Sequence, residues 1–137
     1  MKREKIVSSK SNSVGTNKLR LLIVEDNDLF RKTLRESLQV SFPQIAIDEA
    51  ANGVEAMKRV SSFAPDLILM DMRLPGESGL GLTGKIKAAY PDIIIFILTN
   101  YDTQECREAA SRYGADRYIA KDSFHRLQEL IKSYFRI

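Results

Sequence analysis

The stretch Asp66-Leu67-Ile68-Leu69-Met70-Asp71-Met72-Arg73-Leu74-Pro75-Gly76 decides the fold of this chain. Residues 67–70 form an unbroken apolar run, which has the length of a strand and is too short for a helix. A strand that is apolar on both faces belongs in the middle of a parallel sheet that helices cover on both sides. Such sheets bind ligands beyond the carboxyl ends of their strands. Asp71 directly follows the run and is therefore the first candidate functional residue.

Four other apolar runs have the length of strands, and helical patterns separate them. Residues 19–24 and 93–98 are strongly apolar, residues 45–50 are more polar and suit an edge strand, and residues 118–120 form a short run. Five strands thus alternate with five helices. Because crossovers between parallel strands are right-handed, the helices lie on both faces of one sheet. The sequence therefore predicts an α/β fold with a doubly wound, five-stranded parallel sheet.

Helix caps and apolar faces complete this prediction. The expected capping residues are Asn27 or Asp28, Asp102 or Thr103, and Ser123, with Glu105 forming a capping box behind Asp102, and Asn52-Gly53 is expected to form the turn into the second helix. The predicted apolar faces are Leu29, Phe30, Leu34 and Leu38 in the first helix, and Val54, Met57, Val60 and Phe63 in the second. The third helix contains Gly81 and Gly84, each of which costs about 1 kcal/mol relative to alanine.

The formal charge of +3 at pH 7 is unevenly distributed along the 137 residues. Residues 1–20 carry six basic side chains and one acidic side chain, so the remainder is slightly acidic. Residues 1–18 show no hydrophobic periodicity and are expected to form a flexible basic tail, which leaves residues 19–137 as the folded domain. We therefore do not interpret the positive charge as a nucleic-acid-binding surface of the fold.

Cysteine usage and hydropathy exclude several classes of protein. Cys106 is the single cysteine, which excludes an internal disulfide and a zinc site built from cysteines. No apolar run reaches the length of a membrane span, and no signal peptide is recognisable. We expect a cytoplasmic protein without a membrane segment.

Polar residues end four of the predicted strands, namely Glu25-Asp26, Asp71, Thr99 and Lys121. A parallel sheet brings these ends to one edge, so three carboxylates would crowd together there. Like charges at close range do not all stay ionised without a cation. Mg²⁺ is the natural candidate, because it takes oxygen ligands and retains waters. Lys121 and the Thr99 hydroxyl add donors for a phosphoryl group, which leaves Asp71 as the nucleophile.

The spacing of these residues resembles the receiver domain of bacterial two-component response regulators, from about Leu19 to the C-terminus. The resemblance implies a flavodoxin-like sheet with the strand order 2-1-3-4-5. It also implies that a sensor histidine kinase, or a small donor such as acetyl phosphate, phosphorylates Asp71. Asp26 and Asp71 would bind Mg²⁺ directly, Glu25 would act mainly through water, and the backbone carbonyl of Arg73 would complete the ligands.

The same resemblance assigns a conformational switch to Thr99 and Tyr118. The threonine would move toward the phosphate while the tyrosine turns inward, which couples the site to the surface of the fourth helix, fifth strand and fifth helix. Receivers can form homodimers through that surface. A receiver catalyses its own phosphorylation and dephosphorylation and turns over no separate substrate, so we do not expect an enzyme.

Residues 19–28, 51–53, 73–76 and 118–123 are similar to the LuxR- and NarL-type regulators, which have a helix-turn-helix output domain. This resemblance implies control of transcription through a DNA-binding domain that we do not expect within these 137 residues. The alternative within the family is a stand-alone receiver that acts through protein–protein contacts.

Two other classes use a similar sheet. A haloacid-dehalogenase-type phosphatase also has an aspartate nucleophile and Mg²⁺, but it requires a second aspartate two residues further on, where this chain has Arg73. A flavodoxin-like cofactor module requires a phosphate-cradling glycine loop after the first strand, where this chain has Glu25-Asp26. Both alternatives are disfavoured.

Overall fold

The computed structural model describes residues 18–137, so the predicted tail, apart from Lys18, lies outside the described residues. Five parallel strands form one sheet. They are β1 (Arg20–Val24), β2 (Ala46–Ala50), β3 (Leu67–Asp71), β4 (Ile94–Thr99) and β5 (Arg117–Ala120). Their order is β2-β1-β3-β4-β5, which confirms the predicted topology. β3 and β4 are buried at every position, whereas the edge strand β2 is buried only at Ala50.

Helices cover both faces of the sheet, as the alternating pattern predicted. They are α1 (Asp28–Ser41), α2 (Gly53–Phe63), α3 (Gly79–Ala89), α4 (Gln104–Arg112) and α5 (Phe124–Phe135). α1 and α5 share one apolar layer with alternate strand residues such as Ile23 and Phe96. α2, α3 and α4 share the other layer, with strand residues such as Leu22 and Ile97. No helix within residues 18–137 is both long and apolar enough to cross a membrane.

Half of the predicted apolar face of α2 is confirmed, since Val60 is buried and Phe63 packs against the core; the other half, Val54 and Met57, is wrong. Val54 is 69% exposed and Met57 is 36% exposed, whereas Gly53, Ala56 and Val60 are buried. Small residues at positions 53 and 56 let the helix lie close to its neighbours, which turns the larger side chains outward. In α1, Leu34 and Leu38 are buried as predicted, but Leu29 is exposed.

The helix caps are partly as predicted. Asn27 caps α1 as predicted, by accepting a hydrogen bond from the Phe30 amide. Asn52, expected only as part of a turn, caps α2 by accepting from the Glu55 amide. The cap of α4 is Thr103, whose hydroxyl accepts a hydrogen bond from the Cys106 amide. The capping box at Asp102 was wrong, because that carboxylate pairs with Arg107. Ser123 occupies the N-cap position of α5 without a side-chain hydrogen bond.

A short antiparallel hairpin, absent from the predicted elements, follows β3. Arg73 pairs with Ser78 and Leu74 pairs with Glu77, and the turn between them places Gly76 at a φ of 73°, which glycine tolerates without strain. The Gly79 amide donates to the Met72 carbonyl over 2.8 Å. A Cβ atom at Gly79 would lie 1.9 Å from the Asp71 carbonyl oxygen. Glycine is therefore required for α3 to begin against the end of β3.

Candidate functional site

Three carboxylates meet at the carboxyl edge of β1 and β3. Glu25 and Asp26 follow β1, and Asp71 is the last residue of β3. One carboxylate oxygen of each residue lies within 4.8 Å of the others. Glu25 and Asp71 are buried, whereas Asp26 is exposed, so the cluster opens to solvent on the Asp26 side.

Lys121 places its charge between two of these carboxylates. Its Nζ lies 2.7 Å from Oε1 of Glu25 and 3.2 Å from Oδ1 of Asp71. The side chain is 12% exposed, and Nζ lies 4.8 Å from the ring centroid of Phe30, a favourable cation–π distance. The Lys121 amide donates to the Thr99 carbonyl over 2.8 Å, which holds the lysine beside β4. We call Glu25, Asp26, Asp71 and Lys121 the acidic corner.

The charges of the acidic corner are not balanced by its own residues. Burial, together with the charge of Glu25, raises the pKa of the Asp71 carboxyl from 3.8 to about 6, against the lowering effects of Lys121 and the Arg73 amide. Burial alone would lower the pKa of Lys121, but Glu25 and Asp71 outweigh it and raise that pKa. One ammonium group thus faces three carboxylates, and the folded state favours an additional cation or proton at this point.

The donor set fits a hard divalent metal ion. Carboxylate oxygens are the ligands that Mg²⁺ and Ca²⁺ take, and solvent on the Asp26 side leaves room for the waters that Mg²⁺ retains. The second oxygen of Glu25 accepts a hydrogen bond of 3.0 Å from the Asn27 amide, which fixes the loop after β1. The Arg73 amide donates to Oδ1 of Asp71 over 3.4 Å, so the backbone at Arg73 lies beside the same carboxylate.

Thr99 and Tyr118 meet at the main chain of Tyr101. The Thr99 hydroxyl accepts a hydrogen bond from the Tyr101 amide over 2.9 Å and donates to the Tyr101 carbonyl over 3.4 Å. The Tyr118 hydroxyl donates to the same carbonyl. We call Thr99, Tyr101 and Tyr118 the tyrosine link. The predicted site residues therefore fall into two groups, the acidic corner and this link.

The main chain of Tyr101 was not identified from the sequence as the point where Thr99 and Tyr118 meet. The Arg73 guanidinium lies 4.5 Å from the Tyr101 ring centroid, so the two side chains form a cation–π contact. Gly79 was missed as well, although a glycine placed directly before a helical pattern is a signal of close approach. Arg31 holds the loop after β1. Its role could not be predicted from a local sequence pattern, because its partner Glu49 lies 18 residues away.

The arrangement of acidic strand ends and a lysine has a counterpart among known protein families. A family model described as the response regulator receiver domain matches residues 21–133. The chain belongs to this family. The matched residues include the whole acidic corner and the tyrosine link, so the predicted family and its fold are confirmed.

Two curated relatives match this chain over different shares of their own length. The oxygen regulatory protein NreC of Staphylococcus carnosus is 38% identical over 106 residues, which cover 77% of this chain and 49% of NreC. The chemotaxis protein CheY of Halobacterium salinarum is 39% identical over 101 residues, which cover 74% of this chain and 82% of CheY. The chain thus spans about half the length of the NreC proteins and most of the length of this CheY.

A solved structure resembles the receiver and carries ligands. The crystal structure of a response regulator protein from Burkholderia pseudomallei contains a phosphorylated aspartic acid, a calcium ion and citrate. It is 28% identical to this chain, with a TM-score of 0.75. The match covers 85% of this chain and 66% of the Burkholderia pseudomallei chain. A receiver of similar fold thus exists with a modified aspartate and a divalent ion.

Proposed function

We propose that this receiver domain, residues 19–137, accepts a phosphoryl group on Asp71 from a sensor histidine kinase in a Mg²⁺-dependent reaction. The observation that carries the proposal is the acidic corner, in which Lys121 and two further carboxylates surround a buried aspartate whose pKa is raised to about 6. The phosphorylated aspartic acid of the Burkholderia pseudomallei protein supports the same chemistry.

Each residue of the acidic corner has a role in this proposal. Asp26 and Asp71 would hold the metal ion directly, Glu25 would act mainly through water, and the Arg73 carbonyl would complete the protein's ligands. Bound Mg²⁺ would supply positive charge between the carboxylates and the phosphoryl oxygens. Lys121, 3.2 Å from Asp71, is within reach of a phosphoryl oxygen on that carboxylate. The calcium ion of the solved relative supports a divalent ion at this place, and we propose Mg²⁺ for this chain.

The transfer forms one bond and breaks one. An oxygen of Asp71 bonds to phosphorus while the bond between phosphorus and the kinase histidine nitrogen breaks, and the electron pair of that bond stays on the nitrogen. The nucleophile must be the carboxylate, so protonation of Asp71 opposes the reaction. Lys121 stabilises the charge on the phosphoryl oxygens in the transition state. The chain would catalyse only its own phosphorylation and dephosphorylation, which makes it a switch rather than an enzyme.

The tyrosine link is the proposed route from the phosphate to the surface. If the Thr99 hydroxyl turns toward a phosphoryl oxygen, it leaves the backbone of Tyr101, to which Tyr118 also bonds. The two arrangements differ by a few hydrogen bonds, so phosphate contacts can shift their populations. The readout would be the face formed by α4, β5 and α5, which is also the proposed surface for a homodimer.

The output differs between two versions of this proposal. In the first, the receiver controls transcription through a helix-turn-helix domain, which the LuxR-type sequence segments and the partial coverage of NreC support. In the second, it acts alone through protein–protein contacts, which the 82% coverage of CheY supports. Both versions place the domain in the cytoplasm with the kinase, without direct binding to DNA or to a membrane by residues 19–137.

A phosphatase of the haloacid-dehalogenase type gains no support from the site. Two residues after Asp71, where such an enzyme has its acid, Arg73 stacks on Tyr101. Incubation with acetyl phosphate and Mg²⁺, read by intact mass, tests the leading proposal. We expect wild type to gain one phosphoryl group and Asp71→Asn to gain none. A gain in both proteins, or no gain in wild type with Mg²⁺ present, would refute the role of Asp71.

A further inference from the structure

Arg31 connects the loop that carries Glu25 and Asp26 to the neighbouring strand and helix. Its Nη1 donates to the backbone carbonyl of Glu25 over 2.7 Å. Its Nε donates to Oε1 of Glu49 in β2 over 2.8 Å, and its Nη2 donates to Oδ1 of Asp28 over 2.8 Å. One guanidinium thus holds three groups from the β1–α1 loop, α1 and β2.

This connection is fixed more firmly than an ordinary surface ion pair. The Arg31 side chain is 17% exposed, and the Glu49 side chain is 29% exposed. Burial alone would raise the pKa of Glu49, but hydrogen bonds from Arg35 and Arg31 outweigh it and lower that pKa, so Glu49 stays ionised. The planar fork of arginine provides several donors in fixed directions, which a lysine cannot reproduce.

We propose that Arg31 is a positioning residue for the metal site, because it holds the Glu25 backbone and so fixes where Glu25 and Asp26 present their carboxylates. The inference rests on the metal site of the proposed function. Glu25 is already held on its other sides, since its amide donates to the Ala50 carbonyl and its Oε2 accepts from the Asn27 amide. Arg31 supplies the contact to its carbonyl, from the side of α1 and β2.

A role as a nearby charge and a role as a positioning residue predict opposite changes in Mg²⁺ affinity when Arg31 is lost. If Arg31 acted only as a nearby positive charge, its removal would strengthen the binding of a cation. If it positions the ligand loop, its removal weakens binding, as loss of groups that orient metal ligands generally does. The sign of the change in Mg²⁺ affinity therefore separates the two roles.

Arg35 offers a matched control. Its Nη1 pairs with the other oxygen of Glu49, so it belongs to the same ion-pair network. Its contact with this network is the Glu49 carboxylate in β2, whereas Arg31 contacts both that carboxylate and the Glu25 carbonyl. Arg35→Gln thus removes a charge and an ion pair with Glu49 while leaving the Arg31 contact to the loop in place.

The test is a Mg²⁺ titration of the metal-free protein, followed by the amide NMR shifts of Asp26 and Asn27. Wild type, Arg31→Gln, Arg31→Lys and Arg35→Gln are compared at a temperature at which circular dichroism shows all of them folded. We expect Arg31→Gln and Arg31→Lys to bind Mg²⁺ about tenfold more weakly than wild type, and Arg35→Gln to bind as wild type does. If Arg31→Gln does not fold, the Arg31→Lys comparison decides by the same criterion.

Several results would overturn the inference. Binding by the Arg31 variants that is as tight as in wild type, or tighter, would reduce Arg31 to a nearby charge. An equal loss in Arg35→Gln would assign the effect to the ion-pair network rather than to the Glu25 carbonyl. An absence of Mg²⁺ binding by wild type would instead refute the proposed metal site, and the inference with it. The failure of the positioning role and the failure of the proposed function are thus distinguishable.

Discussion

The acidic corner and the tyrosine link lie at the same edge of the sheet but are built in different ways. In the acidic corner, buried charges at the ends of β1, β3 and β5 face one another, and one lysine bridges Glu25 and Asp71. In the tyrosine link, uncharged hydroxyls bond to a single backbone position, and the Tyr101 side chain is half exposed. The comparison shows that the acidic corner concentrates fixed charges, whereas the tyrosine link depends on a few hydrogen bonds, which suits the proposed roles of phosphoryl acceptance and of response.

The largest expected difference between the two regions concerns Lys121. Lys121→Ala removes the one ammonium that contacts both Glu25 and Asp71. We expect phosphorylation by acetyl phosphate to slow by about 10²- to 10³-fold, because a positioned donor to the phosphoryl oxygens is lost. The rate is measured by intact mass against time.

Lys85→Ala is the control for this change, since Lys85 is an exposed lysine whose ion pair is with Glu77 rather than with Glu25 or Asp71. It should phosphorylate at the wild-type rate. A Lys121→Ala rate close to that of wild type would show that the corner does not need its lysine for transfer.

The next largest effect concerns the support of the acidic corner by α3. Gly79→Ala places a methyl group 1.9 Å from the Asp71 carbonyl oxygen, a backbone atom that cannot move aside cheaply. We expect a loss of about 3 kcal/mol in the free energy of unfolding, measured by urea denaturation.

Gly81→Ala is the matched variant in the same helix, because a Cβ atom there meets open space. It should stabilise the protein by up to about 1 kcal/mol, since alanine favours a helix more than glycine does. Equal effects of the two substitutions would contradict the close approach at Gly79.

A smaller effect is expected in the pH dependence of folding stability, through the Asp71 carboxyl of the acidic corner. Folding raises the pKa of Asp71 from 3.8 to about 6, so this carboxyl stabilises the folded state below pH 4 and loses that contribution as the pH rises to about 6. Asp71→Asn does not titrate. We therefore expect the metal-free variant to gain stability over wild type through this window, reaching about 2 kcal/mol at pH 7.

Denaturation at several pH values, in the presence of a chelator, checks this prediction. Saturating Mg²⁺ should reduce the difference, because the ion stabilises wild type by binding its folded state. Asp92→Asn removes an exposed carboxylate before β4 and serves as the control. If the difference in the free energy of unfolding between Asp71→Asn and wild type does not depend on pH, the pKa of Asp71 is not raised by folding.

The smallest effect is expected in the tyrosine link. Tyr118→Phe removes the hydroxyl that donates to the Tyr101 carbonyl and keeps the ring. We expect a loss of about 1 kcal/mol in the free energy of unfolding, and a phosphorylation rate like that of wild type. Tyr113→Phe, at the exposed end of α4, provides the comparison. A loss of phosphorylation in Tyr118→Phe would show that the tyrosine link takes part in phosphoryl transfer as well as in the response.

The sequence predicted those features that depend on short stretches of chain. The apolar run at 67–70 predicted a buried strand with Asp71 at its carboxyl end, and Asn27 caps its helix through an amide three residues away. The meeting of Lys121 with Glu25, 96 residues apart, could be predicted because parallel strands end at one edge.

Features that depend on tertiary packing were not predicted. Half of the α2 face was predicted wrongly, because Val54 and Met57 are spaced along the helix as regularly as the small residues that are buried. The hairpin after β3 has strands of two residues, which are too short for any periodicity. The contacts of Arg31 with Glu25 and Glu49 depend on how α1 lies against β2, which no local pattern records.

The central claim is that the acidic corner makes Asp71, among all the carboxylates of the chain, the acceptor of a phosphoryl group. The most direct measurement treats wild type with acetyl phosphate and Mg²⁺, reduces the acyl phosphate with borohydride to homoserine, and locates that residue by peptide mass spectrometry. The account predicts homoserine at position 71 alone, and none when a chelator replaces Mg²⁺. Homoserine at position 26, or an equal yield without metal, would contradict it.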